Sequence, residues 1–417
     1  MPGEPPTGPV PTQPTSSTSP MPSALVALFA CACGLSVANV YYAQPLLDSL
    51  GAQFALDHAA VGGVITATQV GCALALLLLV PLGDRMDRRR LMLGQAAALV
   101  GALIAVAAAG SAPALLAGML AVGLLGTAMT QGLIAYAATA GAPSERGRVV
   151  GAAQGGVVIG LLLARVLAGL IADVAGWRGV YLFSALAMLA LSLILWRRLP
   201  AQTPPTTRLS YPRLILSMLT LLLQDRVLQI RGTIAMLMFA AFSVFWSALV
   251  LPLSAPPYAL SHTAIGAFGL VGVVGALAAA RAGRLADRGM GPQVTGGALL
   301  VLLLSWLPLW WFDSHGLWWL VIGIVALDLG GQAIHVANQS MIFGAQRDAH
   351  SRLVGCYMLF YSVGSGLGAI ASTWVYAAAG WPAVCLLGGG ISATALAFWA
   401  LTLRHMPRAS AACAQPA

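Results

Sequence analysis

Residues Leu317–Phe343 read LWWLVIGIVALDLGGQAIHVANQSMIF, an apolar run long enough to cross a bilayer, whose core of about 30 Å takes about 20 helical residues. Its interior nevertheless holds Asp328, Gln332, His335 and Gln339. Their i, i+4, i+7, i+11 spacing places all four on one face of a helix, a polar stripe on an otherwise apolar cylinder. A carboxylate near mid-bilayer costs on the order of 2.5–3.5 kcal/mol, and the usual reason for keeping one is an ion, proton or substrate path. The plainer alternative is that Asp328 only caps a local kink at Gly330-Gly331.

The rest of the chain repeats this apolar character. Hydrophobic residues make up 59% and charged residues 8% of the 417, against roughly 25% charged in a soluble domain. The reading is an all-α integral membrane protein. Apolar runs fall at 23–47, 59–82, 91–110, 113–140, 149–172 and 180–196, then at 232–253, 264–281, 292–311, 317–343, 353–379 and 383–403, six plus six. Residues 1–22, rich in proline and free of basic residues, read as a disordered tail without signal-peptide character. The six-helix bundles 23–196 and 232–403 flank a linker, 197–231, in which Leu214–Leu223 is too short to span and suits the membrane interface; 404–417 is a C-terminal tail.

All basic residues are arginine, and with the N-terminus inside, nineteen of the 21 fall in cytoplasmic segments; Arg165 lies in a span and Arg178 outside. That bias predicts both termini in the cytoplasm and a bacterial inner-membrane location. The net charge of +9 is thus anchoring to the lipid bilayer, not an affinity for nucleic acid. The six cysteines have no metal-ligand or disulfide spacing and read as small apolar packing residues. The halves also repeat. Leu56-Asp57-His58-Ala59-Ala60-Val61-Gly62 returns as Leu260-Ser261-His262-Thr263-Ala264-Ile265-Gly266, Arg148-Val149-Val150-Gly151 as Arg352-Leu353-Val354-Gly355, and Ala175-Gly176-Trp177 as Ala379-Gly380-Trp381, each 204 residues on. Parallel six-span repeats place a substrate site near the midplane, between the halves.

The loop after the second span, Val80-Pro81-Leu82-Gly83-Asp84-Arg85-Met86-Asp87-Arg88-Arg89, and its second copy, Gly283-Arg284-Leu285-Ala286-Asp287-Arg288-Gly289, resemble a motif of the major facilitator superfamily, Gly-x-x-x-Asp-Arg-x-Gly-Arg-Arg. Over residues 23–405 the chain is similar to that superfamily's twelve-span bacterial drug/proton antiporter-like group. The fourth-span motif keeps Gln131-Gly132 but has Ala128 where the family carries arginine; the fifth-span antiporter pattern keeps Gly156 and Gly160, lacks its proline and ends in Arg165. The resemblance implies twelve helices in two pseudo-symmetric bundles, a monomer, and a cytoplasmic gate built from Asp84, Arg85, Arg88, Arg148, Asp287, Arg288 and Arg352. Membrane anchoring alone is the other reading of Arg88 to Arg90.

With Ala128 in the fourth span, Arg165 is the one cation expected inside the membrane and the expected partner of Asp328, facing it across a shared aqueous cavity. Asp328, Arg165 and His335 are candidates for proton coupling, His335 being equally compatible with a packed hydrogen-bonding role. Gln131, the repeat equivalent of His335, joins Gln332, Gln339, Asn39, Tyr42, Phe242 and Trp246 as candidate cavity lining, with Gln69 a weaker one. The expected function is secondary transport by alternating access, proton-coupled efflux of a small organic or amphipathic solute, with a proton-coupled importer of a sugar or organic anion as the alternative. The chain has no His-Glu-x-x-His, nucleophile elbow or Walker motif, so neither an enzyme nor an ATP-driven pump is expected. No cofactor and no metal are expected, the proton gradient being the energy source.

Overall fold

A computed structural model describes residues 21–140, 145–199, 210–343 and 350–403. Helices fill nearly all of it, and no strand occurs among the described residues. In hydrocarbon every backbone N–H and C=O needs an internal partner, and a helix supplies those within one segment.

The first span is α1 (Ser23–Tyr41), extended by a 3-10 turn at Gln44–Leu46 and by α2 (Leu47–Phe54). The second is α3 (Gly63–Leu74), continued by irregular helix to Asp84. α4 (Arg88–Ala107) and α5 (Ala112–Ala140) follow. Asp87 stands at the inner glycine of the family motif because it starts α4: its carboxylate accepts the amides of Arg89 and Arg90 at 2.9 and 3.2 Å. Next come α6 (Arg146–Arg198), the linker helix α7 (Tyr211–Gln224), α8 (Arg226–Ala248) and the short α9 (Val250–Ser254). The eighth span joins α10 (His262–Ala267), a 3-10 segment Phe268–Gly272 and α11 (Val273–Leu285). α12 (Gly291–Leu304), α13 (Trp306–His315), α14 (Leu317–Phe343) and α15 (His350–Thr402) complete the chain.

α6 and α15 have 53 residues each, which as straight helices would be about 80 Å long, more than twice the bilayer core. Both double back instead. Gly176 (φ 70°, ψ 173°) and Gly380 (φ 71°, ψ −167°) take a backbone conformation closed to side-chain-bearing residues. The Ala-Gly-Trp repeat is therefore the hairpin between two spans, in each half. Nine stretches are long and apolar enough to cross a membrane; two of them contain these hairpins and the eighth span is broken, so the described residues make the twelve crossings expected.

One boundary differs from the sequence reading. Asp225 caps α8 through the amide of Leu228 at 2.9 Å, so the seventh span begins at Arg226 and not at Gly232. Arg231, counted in the linker from sequence, is consequently inside the bundle and fully buried. It bonds Thr295 of α12 at 3.1 Å and Asn338 of α14 at 3.4 Å. Arg165 is not the only buried cation. The linker segment Leu214–Leu223, expected at the interface, lies in amphipathic α7. Leu214 and Met218 pack on Cys356 and Tyr357 of α15, while Leu216, Leu219 and Leu223 stay exposed.

Candidate functional site

Arg165 of α6 is 4% exposed and Asp328 of α14 5% exposed, and they come from different halves. Both border the glycine-lined middle of the eighth span. A Cβ on Gly269 would lie 3.2 Å from Arg165 Cδ, and one on Gly272 2.6 Å from Asp328 Oδ2. Bare backbone there lets the two charges approach one helix; no ion pair within 4 Å joins them among the described residues, and of the two arrangements expected from sequence, direct contact or contact through a bound solute, this conformation does not have the direct one. Arg165 is held otherwise. Its Nε donates to Gln44 Oε1 at 2.8 Å, and its guanidinium lies 4.1 Å from the ring centre of Trp246 and 5.5 Å from that of Tyr41. Its Nη1 donates to Leu161 O at 3.5 Å, so the guanidinium is held by aromatic faces and by two hydrogen bonds. Asp328 receives no hydrogen bond among the described residues.

Around this pair the two halves meet through polar groups. The Tyr41 and Tyr361 hydroxyls share a hydrogen bond across the interface. Among the described residues, Gln69 Oε1 and Trp246 Nε1 are buried without partners. Buried, unanswered donors and acceptors are costly in a finished core and expected in a site that takes up a ligand. Phe242 packs on the bare Cα of Gly331, which α14 keeps open beside Asp328.

The lower part of the α14 stripe is used differently. His335 Nδ1 bonds the Tyr357 hydroxyl at 3.0 Å, its Nε2 meets the Gln339 amide at 3.2 Å, and Phe239 stands edge-on at 5.4 Å. That engages both ring nitrogens, the packed alternative for His335. Gln332 is half-buried on the same helix. Asn39 does not serve the inter-half space: its amide donates to Leu35 O at 2.7 Å and accepts from Ser184 at 2.6 Å, tying α1 to the second arm of α6. Its polar capacity is spent within the N-terminal half. Tyr42 is buried in the same core.

At the arginine-rich end a cavity of about 110 Å³ lies between the halves, lined by Arg88, Gln95, Ala128, Gln131, Met218 and Arg352. Ala128, where the family has arginine, leaves Gln131 the polar group on that wall. α7 reaches both halves over this cavity: Tyr211 donates to Leu78 O at 2.7 Å, and Arg352 donates to Ser217 at 3.1 Å. The side chains of Asp84 and Asp287 lie outside the described residues. Arg85 and Arg288 are exposed, while Arg88 bonds Gly83 O and Ala135 O at 3.0 Å and Arg148 pairs with Glu145 at 2.7 Å, all within one half. The contacts described for Arg88 and Arg148 thus stay within the N-terminal half.

The opposite end is closed. Thr66 donates to Gly366 O at 2.8 Å where α3 meets α15. Where α6 meets α10, Asp173 accepts the amides of His262 and Thr263 at 3.1 and 2.9 Å and the Thr263 hydroxyl at 2.6 Å. His262 is held on both sides: Nδ1 lies 3.1 Å from Asp173 and Nε2 3.1 Å from Asp48 of α2. Composition gave no sign of these residues; the repeat landmark containing His262 was the available signal.

Comparison with known proteins agrees with this architecture. The chain is 40% identical over 388 residues to an uncharacterized transporter, YgaY, of Escherichia coli O157:H7, covering 93% of this chain and 97% of that protein. It is 29% identical over 370 residues to a transporter of Streptomyces coelicolor, covering 87% and 84%. Its fold matches a bacterial homolog of the human lysosomal transporter Spinster, with TM-score 0.74, 15% identity and coverage of 92% and 97%. It also matches the nucleoside transporter NupG, with TM-score 0.70, 13% identity and coverage of 91% and 99%. The Major Facilitator Superfamily model matches residues 24–295 and again 233–415, and the chain, a multi-pass membrane transporter and not an enzyme, belongs to that superfamily.

Proposed function

We propose that this transporter is a monomeric, proton-coupled exporter of a small organic or amphipathic solute, set in a bacterial inner membrane with its arginine-rich end in the cytoplasm. The observation that carries the reading is the buried carboxylate of Asp328, contributed by one half and receiving no hydrogen bond among the described residues, beside the aromatic-walled guanidinium of Arg165 contributed by the other. A carboxyl group so placed takes one positive charge at a time, a proton or the cationic group of a solute, and that exclusion is what exchange requires. Trp246, Tyr41 and Phe242 offer apolar faces to the body of the solute, with Gln69 and Trp246 Nε1 supplying one acceptor and one donor. In the described conformation solute would enter past Gln131 and α7 from the arginine-rich end. Alternating access then closes that end through its arginine loops and opens the other.

The test is proton movement in proteoliposomes loaded with a pH-sensitive dye and challenged with a panel of amphipathic amines. Solute-dependent proton flux is expected of the wild type and not of Asp328→Asn. Undiminished flux in Asp328→Asn refutes the reading. Arg165→Lys, which keeps the charge but loses the planar stacking on Trp246, is expected to raise the solute concentration needed for half-maximal flux.

A further inference from the structure

We propose that His262 is a second proton-binding site of this transporter, independent of Asp328, and that a proton bound there holds the end opposite the arginines closed. The argument begins with the number of hydrogens on an imidazole. Nδ1 faces Asp173 Oδ1 and Nε2 faces Asp48 Oδ1, both at 3.1 Å, and Ser49 Oγ lies 3.0 Å from Nε2. A neutral ring has one N–H, so one of the two carboxylates would confront a lone pair; only the imidazolium donates to both. Three side chains with opposite charges then join the halves, His262 coming from the C-terminal half and Asp48 and Asp173 from the N-terminal half.

The surroundings add no competing charge. The 44–46 turn, α9 and the 268–272 segment carry no titratable side chain. Arg178, at the same end, is committed to Gln53 at 3.4 Å and to Ala109 O at 3.1 Å. The hydrogen bond His262 donates to Asp48 does most to raise its affinity for a proton; burial works against it, and Asp173 adds to the rise. Asp173 is itself opposed by burial, but the Thr263 hydroxyl and amide and the His262 contacts outweigh that and carry it down to about 2, so it stays ionised. The clamp exists only where α6 and α10 touch. The closed state therefore binds the proton more tightly than the open one, and by linkage the proton favours closure.

The direction is fixed by that sign. Closure is fully favoured below the ordinary imidazole value of about 6.5 and is lost as pH rises through the raised value of the clamped ring. In the orientation proposed above, His262 faces the outside. A proton arriving from an acidic exterior would close the outer end after solute release.

The experiment is a spin-label distance measurement between non-cysteine labels at Ala52 of α2 and Ser314 of α13, in lipid nanodiscs from pH 5 to pH 9. In the wild type the closed-to-open ratio is expected to fall about tenfold per pH unit between about 6.5 and the raised value. His262→Gln should abolish the dependence, and His262→Arg, with a charge that cannot be removed, should stay closed throughout. Asp328→Asn should respond as the wild type does. A wild type indifferent to pH, a His262→Gln or His262→Arg protein that still opens on raising pH, or loss of the response in Asp328→Asn each overturns the proposal. The first three outcomes leave the Asp328 reading untouched.

Discussion

Gly169 offers a test of the closed end that involves no titration. It lies where α6 crosses α10, and a Cβ there would stand 2.2 Å from His262 O, 2.5 Å from His262 C and 2.8 Å from Thr263 N. All three are backbone atoms, so no rotamer change relieves the contact. Reaching an ordinary separation of about 3.5 Å means parting the helices by more than about 1 Å. Overpacking of that kind costs about 1–3 kcal/mol, and Gly169→Ala incurs it only while the halves touch at this crossing. The better helix propensity of alanine acts in both conformations and cancels in their ratio. The closed-to-open ratio should therefore fall about 5- to 150-fold. Distances between labels at Ala52 and Ser314 would show it as a longer-distance population at pH 5, where the wild type stays closed. An unchanged distance distribution in a protein that melts normally would refute the claim that this crossing closes the end.

Three further outcomes follow from the same geometry. Asp173→Asn should open the closed end at all pH values from 4 to 9, whereas the wild-type clamp weakens only as pH rises past His262 or falls toward the value of about 2 held by Asp173; the same distance measurement checks it. Gly176→Ala, at φ 70° and ψ 173°, should cost about 1–3 kcal/mol, seen as a lower melting temperature, while Gly101→Ala, with open space around its Cα, should be neutral or slightly stabilising. Asp225→Ala removes the cap on Leu228 and should cost about 1 kcal/mol in thermal melts without altering solute-dependent proton flux.

The fold was legible because its determinants are one-dimensional. Run length counts crossings, arginine placement separates the ends, and the 204-residue offset marks the two halves. The hairpins were even written in the sequence, since Gly176 and Gly380 recur with their flanking Ala and Trp, although the offset alone could not say that they reverse the chain. Site geometry was less legible, because a helix face does not name its partner. The polar stripe on α14 proved to hold two kinds of residue: Asp328, which receives no hydrogen bond among the described residues, and His335, bonded to both Gln339 and Tyr357. Arg165 was found from its cost, but its neighbours Gln44, Trp246 and Tyr41 come from two other helices. Arg231 sits one residue before an apolar run, so its place inside the bundle depended on where Asp225 starts α8.

The repeat also shows where pseudo-symmetry ends. The landmark around His58 brings α3 to α15, and the one around His262 brings α10 to α6, so both crossings close the same end. At the first, a Cβ on Gly62 would meet Thr373 and Ala369; at the second, one on Gly266 would meet Arg165 O. Their chemistry differs. His58 lies edge-on to Tyr376 at 5.9 Å, and the positions 204 residues after Asp48 and Asp173 are Pro252 and Ala377. One seam is thus held by Thr66 and Thr373 donating to carbonyls, and the other by an imidazole between two carboxylates. The Thr66 and Thr373 hydrogen bonds do not change across pH 5 to 9, whereas an imidazole held between two carboxylates does, so the proposed proton dependence of closure is assigned to the α6–α10 seam. His58→Gln should accordingly leave the pH response intact, and a loss there equal to that of His262→Gln would refute the assignment of the response to the α6–α10 seam alone.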